Sequence, residues 1–145
     1  MKKIVAVLLL STVAAAPTLA RDTTLRLPLA EVLEMPDAKA KLDGVKFYLA
    51  GQKTPKVTQK MGEDISNRKT NNFGKEDRVA CQWAALSALL AFHEKARGMV
   101  GANAVVDIES YYKRNSFKSS TEYECHAGAV IAGVTLRGAY AKVAR

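Results

Sequence analysis

The sequence predicts an α+β domain in which one main helix packs on an antiparallel sheet of about four strands. Three observations predict it. Residues 75–98, KEDRVACQWAALSALLAFHEKARG, place apolar side chains at helical spacing. Residues 101–112, GANAVVDIESYY, switch to a period of two. Residues 121–143 keep a strand-like alternation long enough to supply partner strands.

Taken in order, Met1 to Ala20 has the make-up of a secretory signal peptide. Lys2 and Lys3 form a basic start, residues 4–16 are apolar and small, and Thr18-Leu19-Ala20 offers a small-residue cleavage site. Cleavage after Ala20 leaves one domain over residues 21–145, large enough for a modest core. No stable membrane insertion is expected after cleavage. Without Lys2 and Lys3, 20 of the 22 basic side chains remain against 14 acidic ones, a net charge of about +6. The charges do not gather on one helix face and no basic strand with interleaved aromatics stands out, so nucleic acid is not the expected partner. A basic surface that lingers near anionic envelope polymers fits better.

After the leader, Pro28 suits a first helical position, and Leu29, Val32, Leu33 and Met35 suggest one or two turns. Pro36 interrupts, DAKAKL restarts a short helix, and Asp43-Gly44 ends it. VKFYLA (residues 45–50) alternates as a first strand. Residues 56–64 read as a second, polar strand near an edge or bent at Gly62. SNRKTNNFG (residues 66–74) reads as a surface loop, and Arg68, Lys69 and Phe73 make it a candidate partner-binding loop.

In the main helix, Cys81, Ala85, Ala88, Leu89, Phe92 and Ala96 form one apolar row, and Val79, Trp83, Leu86 and Leu90 a second. Together they make a broad core-facing stripe. Glu76 and Asp77 at the start, with Lys95 and Arg97 at the end, oppose the helix dipole. Gly98, Gly101 and Asn103 tolerate positive φ and end it. In the next strand Ala104, Val106, Ile108 and Ser110 alternate with Val105, Asp107, Glu109 and Tyr111. Residues 115–120 read as a polar loop. Tyr123, Cys125, Ala127, Ala129 and Ile131 then share one parity, and Gly128, Gly133 and Gly138 mark bulges, bends or breaks in so long a run.

An exported chain with an even pair of cysteines favours a disulfide between Cys81 and Cys125 over two reduced thiols. Strand parity turns Cys125 towards the helix that carries Cys81. The bond would close a loop of roughly 44 residues, contributing about 4 kcal/mol by chain entropy.

The order of helix, Gly101-Ala102-Asn103-Ala104-Val105-Val106, acidic strand, polar loop and VTLRGAYAK (residues 134–142) resembles the YbjQ-type small α/β family. It is also similar to the lipoprotein sensor of the bacterial Rcs envelope-stress pathway. The similarity spans about Val79 to Val143. Over nearly its whole length the chain resembles a group of small exported proteins sometimes described as excinuclease ATPase subunits, through SNRKTN, the Cys-containing helix and YECHAG. The resemblance implies a YbjQ-like fold and an envelope setting. Heavy-metal binding, described for the YbjQ type, asks for ligands. A lipid-tethered sensor asks for a Cys near the cleavage point, and the residues there are not Cys. An excinuclease ATPase needs a Gly-x4-Gly-Lys-Ser/Thr loop, which the sequence lacks.

Candidate chemistry rests on few residues. Glu122, Glu124 and His126 share one strand face at i, i+2 and i+4 and are the candidate metal ligands. Steps of about 7 Å between them are wide for one ion unless the strand bends. His93 sits near the helix end as a cap or core-edge residue. Asp107 and Glu109 have no nucleophile, base and orienter around them in sequence, and no serine carries an activating motif. No enzyme and no cofactor are therefore expected. The sequence reads as a non-catalytic periplasmic interaction or accessory protein of the bacterial cell envelope, partnered by an envelope protein or an anionic envelope polymer. The alternative is a periplasmic metal-binding module built on His126 and its neighbouring carboxylates.

Overall fold

The computed structural model describes residues 21–145, and the leader assigned to residues 1–20 lies outside the described residues. In chain order the elements are β1 (Thr23–Pro28), α1 (Leu29–Leu33), α2 (Pro36–Lys41), β2 (Lys46–Leu49), β3 (Val57–Asn71) and α3 (Asp77–Arg97). Then come β4 (Ala104–Tyr112), β5 (Asn115–Phe117), β6 (Glu122–Ala127) and β7 (Ile131–Val143).

The expected single helix on about four antiparallel strands is not what forms. Seven strands join one sheet, along the path β1-β6-β7-β4-β2, with β3 bonded to β7 and β5 to β4. The sheet is mixed, because β2 runs parallel to β4. Three strands lie in segments whose periodicity does not announce them. β1 occupies residues read as the approach to a helix. β5 is three residues long, inside the expected polar loop. The C-terminal half of β3 is the segment expected as a loop, and Arg68 and Lys69 pair there with Val134 and Gly133. As an edge strand β3 is wet on much of both faces, so polar residues replace the alternation that marks a half-buried strand.

β7 is the centre of the sheet. It bonds to β3 from Asn71↔Ile131 to Val57↔Val143, to β4 from Ala104↔Ala141 to Ser110↔Leu136, and at its start to β6. Helix α3 lies across β3 and β7. Ala80, Ala84, Ala85, Ala88 and Ala96 are fully buried and let the helix approach closely, while Leu89 and Phe92 fill the space between. Full burial of each of those two large side chains contributes about 1.5–3 kcal/mol. Phe92 meets Tyr140 of β7 edge-on, with ring centroids 6.0 Å apart. Ser66 Oγ donates to Ala88 O at 2.9 Å, fastening β3 under the helix.

The second apolar row of the helix does not face the sheet as expected. Leu86 is buried and Leu90 packs half-buried against the core, but Val79 and Trp83 are exposed. At the helix end Gly98 stays right-handed (φ −81°), and Gly101 (φ +85°) makes the left-handed turn.

Cys81 and Cys125 are joined by a disulfide, Cα atoms 5.8 Å apart and both residues fully buried. Tyr123, Cys125 and Ala127 face the core, as parity requires. In β4 a bulge at Asp107 (φ +54°) breaks the expected parity, so Val105 and Ile108 both face α3 while Val106 faces the other side. Opposite it, Gly138 leaves the room these side chains use, since a Cβ there would lie 2.9 Å from Val105 Cγ1. Among the described residues no helix is long and apolar enough to cross a membrane.

Candidate functional site

One face of the sheet is covered by α3. On the other face Ala104, Val106, Ala139, Ala141 and Val143 form a small second apolar cluster with Tyr48 and Val57. Beyond that cluster the face stays open. Strand register sets what lines it: Ile65 lies opposite Arg137, Asn67 opposite Thr135, and Lys69 opposite Gly133. Successive positions of β3 alternate faces, so Ile65, Asn67 and Lys69 stand on the open face while Ser66 stands under the helix.

A groove of about 380 Å³ runs here, with β3 as one wall and the β4 end as the other. Gly133 lines it beside Thr135, and because Gly133 carries no side chain the floor stays low. Tyr111 and Tyr112 form the second wall, and the turn after them adds Lys113 and Arg114. That turn is a two-residue hairpin loop between β4 and β5, with Tyr112 paired to Asn115 and Arg114 N donating to Tyr111 O at 3.2 Å. Lys113 (φ +49°) and Arg114 (φ +63°) both lie in the left-handed region. Asn-Gly is the common pair at such a turn. Placing two long cations there costs about 1–2 kcal/mol each, a strain of the kind that collects at functional sites.

The wall is braced from below. Tyr112 stacks on His126 with ring centroids 3.5 Å apart, and Lys113 Nζ sits 5.3 Å from the same ring. His126 is itself held between carboxylates, Nε2 at 2.7 Å from Glu124 Oε1 and Nδ1 at 3.3 Å from Asp22 Oδ1. Of the three candidate metal ligands, the fold joins Glu124 and His126 and adds Asp22 in place of Glu122. Among the described residues no three His, Cys, Asp or Glu side chains are grouped to hold a metal ion. The strand keeps its step length, and the imidazole lies flat against Tyr112 with both nitrogens against carboxylates.

Charge along the open face is divided. At the groove, no carboxylate among the described residues lies within 4 Å of Lys69, Lys113 or Arg114. Further along lies a cleft of about 190 Å³ where Glu63, Asp107 and Glu109 stand with Lys118 and Arg137. Glu109 is buried, accepts from Ser116 Oγ at 2.9 Å, and is paired with Arg137. The Glu109 carboxylate raises the pKa of the Arg137 guanidinium, which lies 4.1 Å from the Tyr111 ring centroid.

The expected binding loop is dismantled by this geometry. Arg68 and Lys69 are strand neighbours and point to opposite faces, so only Lys69 reaches the groove. Phe73 stands 75% exposed in the turn between β3 and α3. Tyr111, Tyr112, Lys113 and Arg114 were not among the expected site residues, although YYKR is a visible run of aromatics and cations. His93 does act at the core edge, with Nε2 donating to Asp43 O at 2.7 Å. No family model, curated protein or solved structure matches this chain.

Proposed function

We propose that the chain is a non-catalytic interaction protein of the bacterial cell envelope that works in the periplasm and holds its partner against the open sheet face. The observation that carries this reading is the groove: a long sheet face without a helix over it, lined by aromatics and by three cations with no carboxylate within 4 Å among the described residues. A surface of this kind is a contact site rather than ordinary solvated exterior. The polar groups beside it serve as braces: Glu109 holds Arg137, and Glu124 holds the His126 ring under Tyr112. The buried disulfide suits an oxidising compartment, in keeping with the leader-like start of the sequence.

Site-specific photo-crosslinking in cells tests the reading. A crosslinker replacing Ile65 or Tyr111 should trap a discrete envelope component. One replacing Val100, 95% exposed and away from the groove, should not. The same products from Val100 as from Ile65, or none from either groove position, would remove the proposal. Recovery of the protein from the cytoplasm with reduced thiols would remove the compartment.

A further inference from the structure

We infer that the groove takes an acidic glycan, a polysaccharide chain whose sugars carry anionic groups. The inference rests on the open face being the contact surface, and it names the partner's chemistry.

The position of the groove argues first. Extended peptides are held at sheet edges, where unpaired backbone groups bond to them. This groove lies on a face, over β7, whose backbone is already bonded to β3 on one side and to β4 and β6 on the other. Only side chains can grip what lies there. Those available suit a sugar ring: the apolar C–H face of a sugar rests on the side of the Tyr111 ring opposite Arg137, and its hydroxyls find the Asn67 amide and the Thr135 hydroxyl.

Charge argues next. Lys69 stands on one wall and Lys113 with Arg114 on the other, so cations meet the occupant from both sides of the Gly133 floor. The groove is also open lengthwise. At one end Lys69 is shared with a shallow depression beside Val130 and Ile131, and at the other Ile65 and Tyr111 are shared with a cleft where Glu63 and Asp64 stand beside Arg137 and end the cationic stretch. From Ile131 to Thr135, short of those carboxylates, the strand covers about 13 Å, room for about two or three consecutive rings of a chain.

The test is direct binding of the oxidised 21–145 chain to polygalacturonate, with neutral dextran and polyglutamate as comparisons. Polygalacturonate should bind, more weakly as salt rises, and dextran should not. Gly133→Leu fills the trough without changing charge. It should abolish binding while the melting temperature and circular dichroism stay near those of the wild type; a Cβ at this position meets Lys69 Cγ at an ordinary 3.6 Å. Lys113→Glu with Arg114→Glu, and separately Tyr111→Ala, should each weaken binding about tenfold or more, a shift of about 1.4 kcal/mol or more. Lys75→Glu, an exposed change in the turn before α3, should leave it unaltered.

Polyglutamate binding as tightly as polygalacturonate would show that charge alone is read and would overturn the inference, as would equal weakening by Lys75→Glu. Absence of polygalacturonate binding while Ile65 still crosslinks to an envelope component would end the glycan inference and leave the contact surface standing.

Discussion

Asp77 joins three separated parts of the chain through one carboxylate. Arg21, just before β1, donates to it twice, at 2.7 and 3.0 Å, and Asn72, at the end of β3, donates at 2.8 Å. Both donors also reach Gly128 O in the turn before β7. Hydrogen bonds from Arg21, then from Asn72, hold the Asp77 carboxyl down at about 2. An unfolded Asp titrates near about 3.9, so the folded group has the lower pKa. Its contribution to stability is therefore complete above that unfolded value and is lost as pH falls through about 2. Melting temperatures measured from pH 5 down to about pH 2 should drop more steeply for the wild type than for Asp77→Asn. Parallel curves would show that the cluster does not hold the turn. Gly138 offers a second residue-scale test. A methyl group there meets Val105 Cγ1 at 2.9 Å and Ile108 Cγ1 at 3.1 Å. Val105 is stiff at χ1 and fully buried, so Gly138→Ala should cost about 1–3 kcal/mol in denaturant unfolding. A loss under about 0.5 kcal/mol, the range of ordinary surface changes, would mean that the bulge yields.

Among the elements, α3 departs most clearly from its pattern. Two apolar rows were legible in the sequence, and the second reaches the core only through Leu86 and Leu90. Local spacing reports which residues lie together on a helix, but it does not say how many faces will find a partner. Trp83 is the only tryptophan, and at 41% exposure its ring should be quenched efficiently by acrylamide in the native state. Native emission shielded to the degree expected of a buried indole would restore the broad core-facing stripe. β3 departs for the opposite reason. Its polar second half, SNRKTN, reads as a loop because an edge strand needs no alternation, and long-range ladder bonds to β7 hold it extended. The bulge at Asp107 is a third case: one extra residue exchanges the faces of everything after it, and nothing in the alternation of residues 104–111 signals where that occurs.

For the molecule as a whole, the disulfide is the long-range tie, joining the start of α3 to β6 across the core. Cys81→Ala or Cys125→Ala should each cost about 2–5 kcal/mol, a large share of the stability of a domain this size. The double mutant should melt close to either single one, since each already breaks the bond. Denatured, unreduced wild type should show no titratable thiol. Two thiols per chain in freshly isolated protein would contradict the bond and the oxidising compartment together. The groove belongs to this scale too. Its cations come from β3 and from the β4–β5 turn, and its floor from β7. Tyr112 is set by His126 of β6.

By itself the sequence determined the span of α3, the inward side of β6 and the pairing of Cys81 with Cys125. Each follows from simple patterns: helical spacing, strand parity and cysteine count can be read from the residues alone. The tertiary structure alone decided that seven strands share one mixed sheet, that Asp22, Glu124 and Tyr112 close round His126, and that Lys69 faces Lys113 and Arg114 across Gly133. The physical reason is the range of the interactions. Short and edge strands take their conformation from hydrogen bonds to distant partners, and the open face exists because α3 covers the opposite side of the sheet.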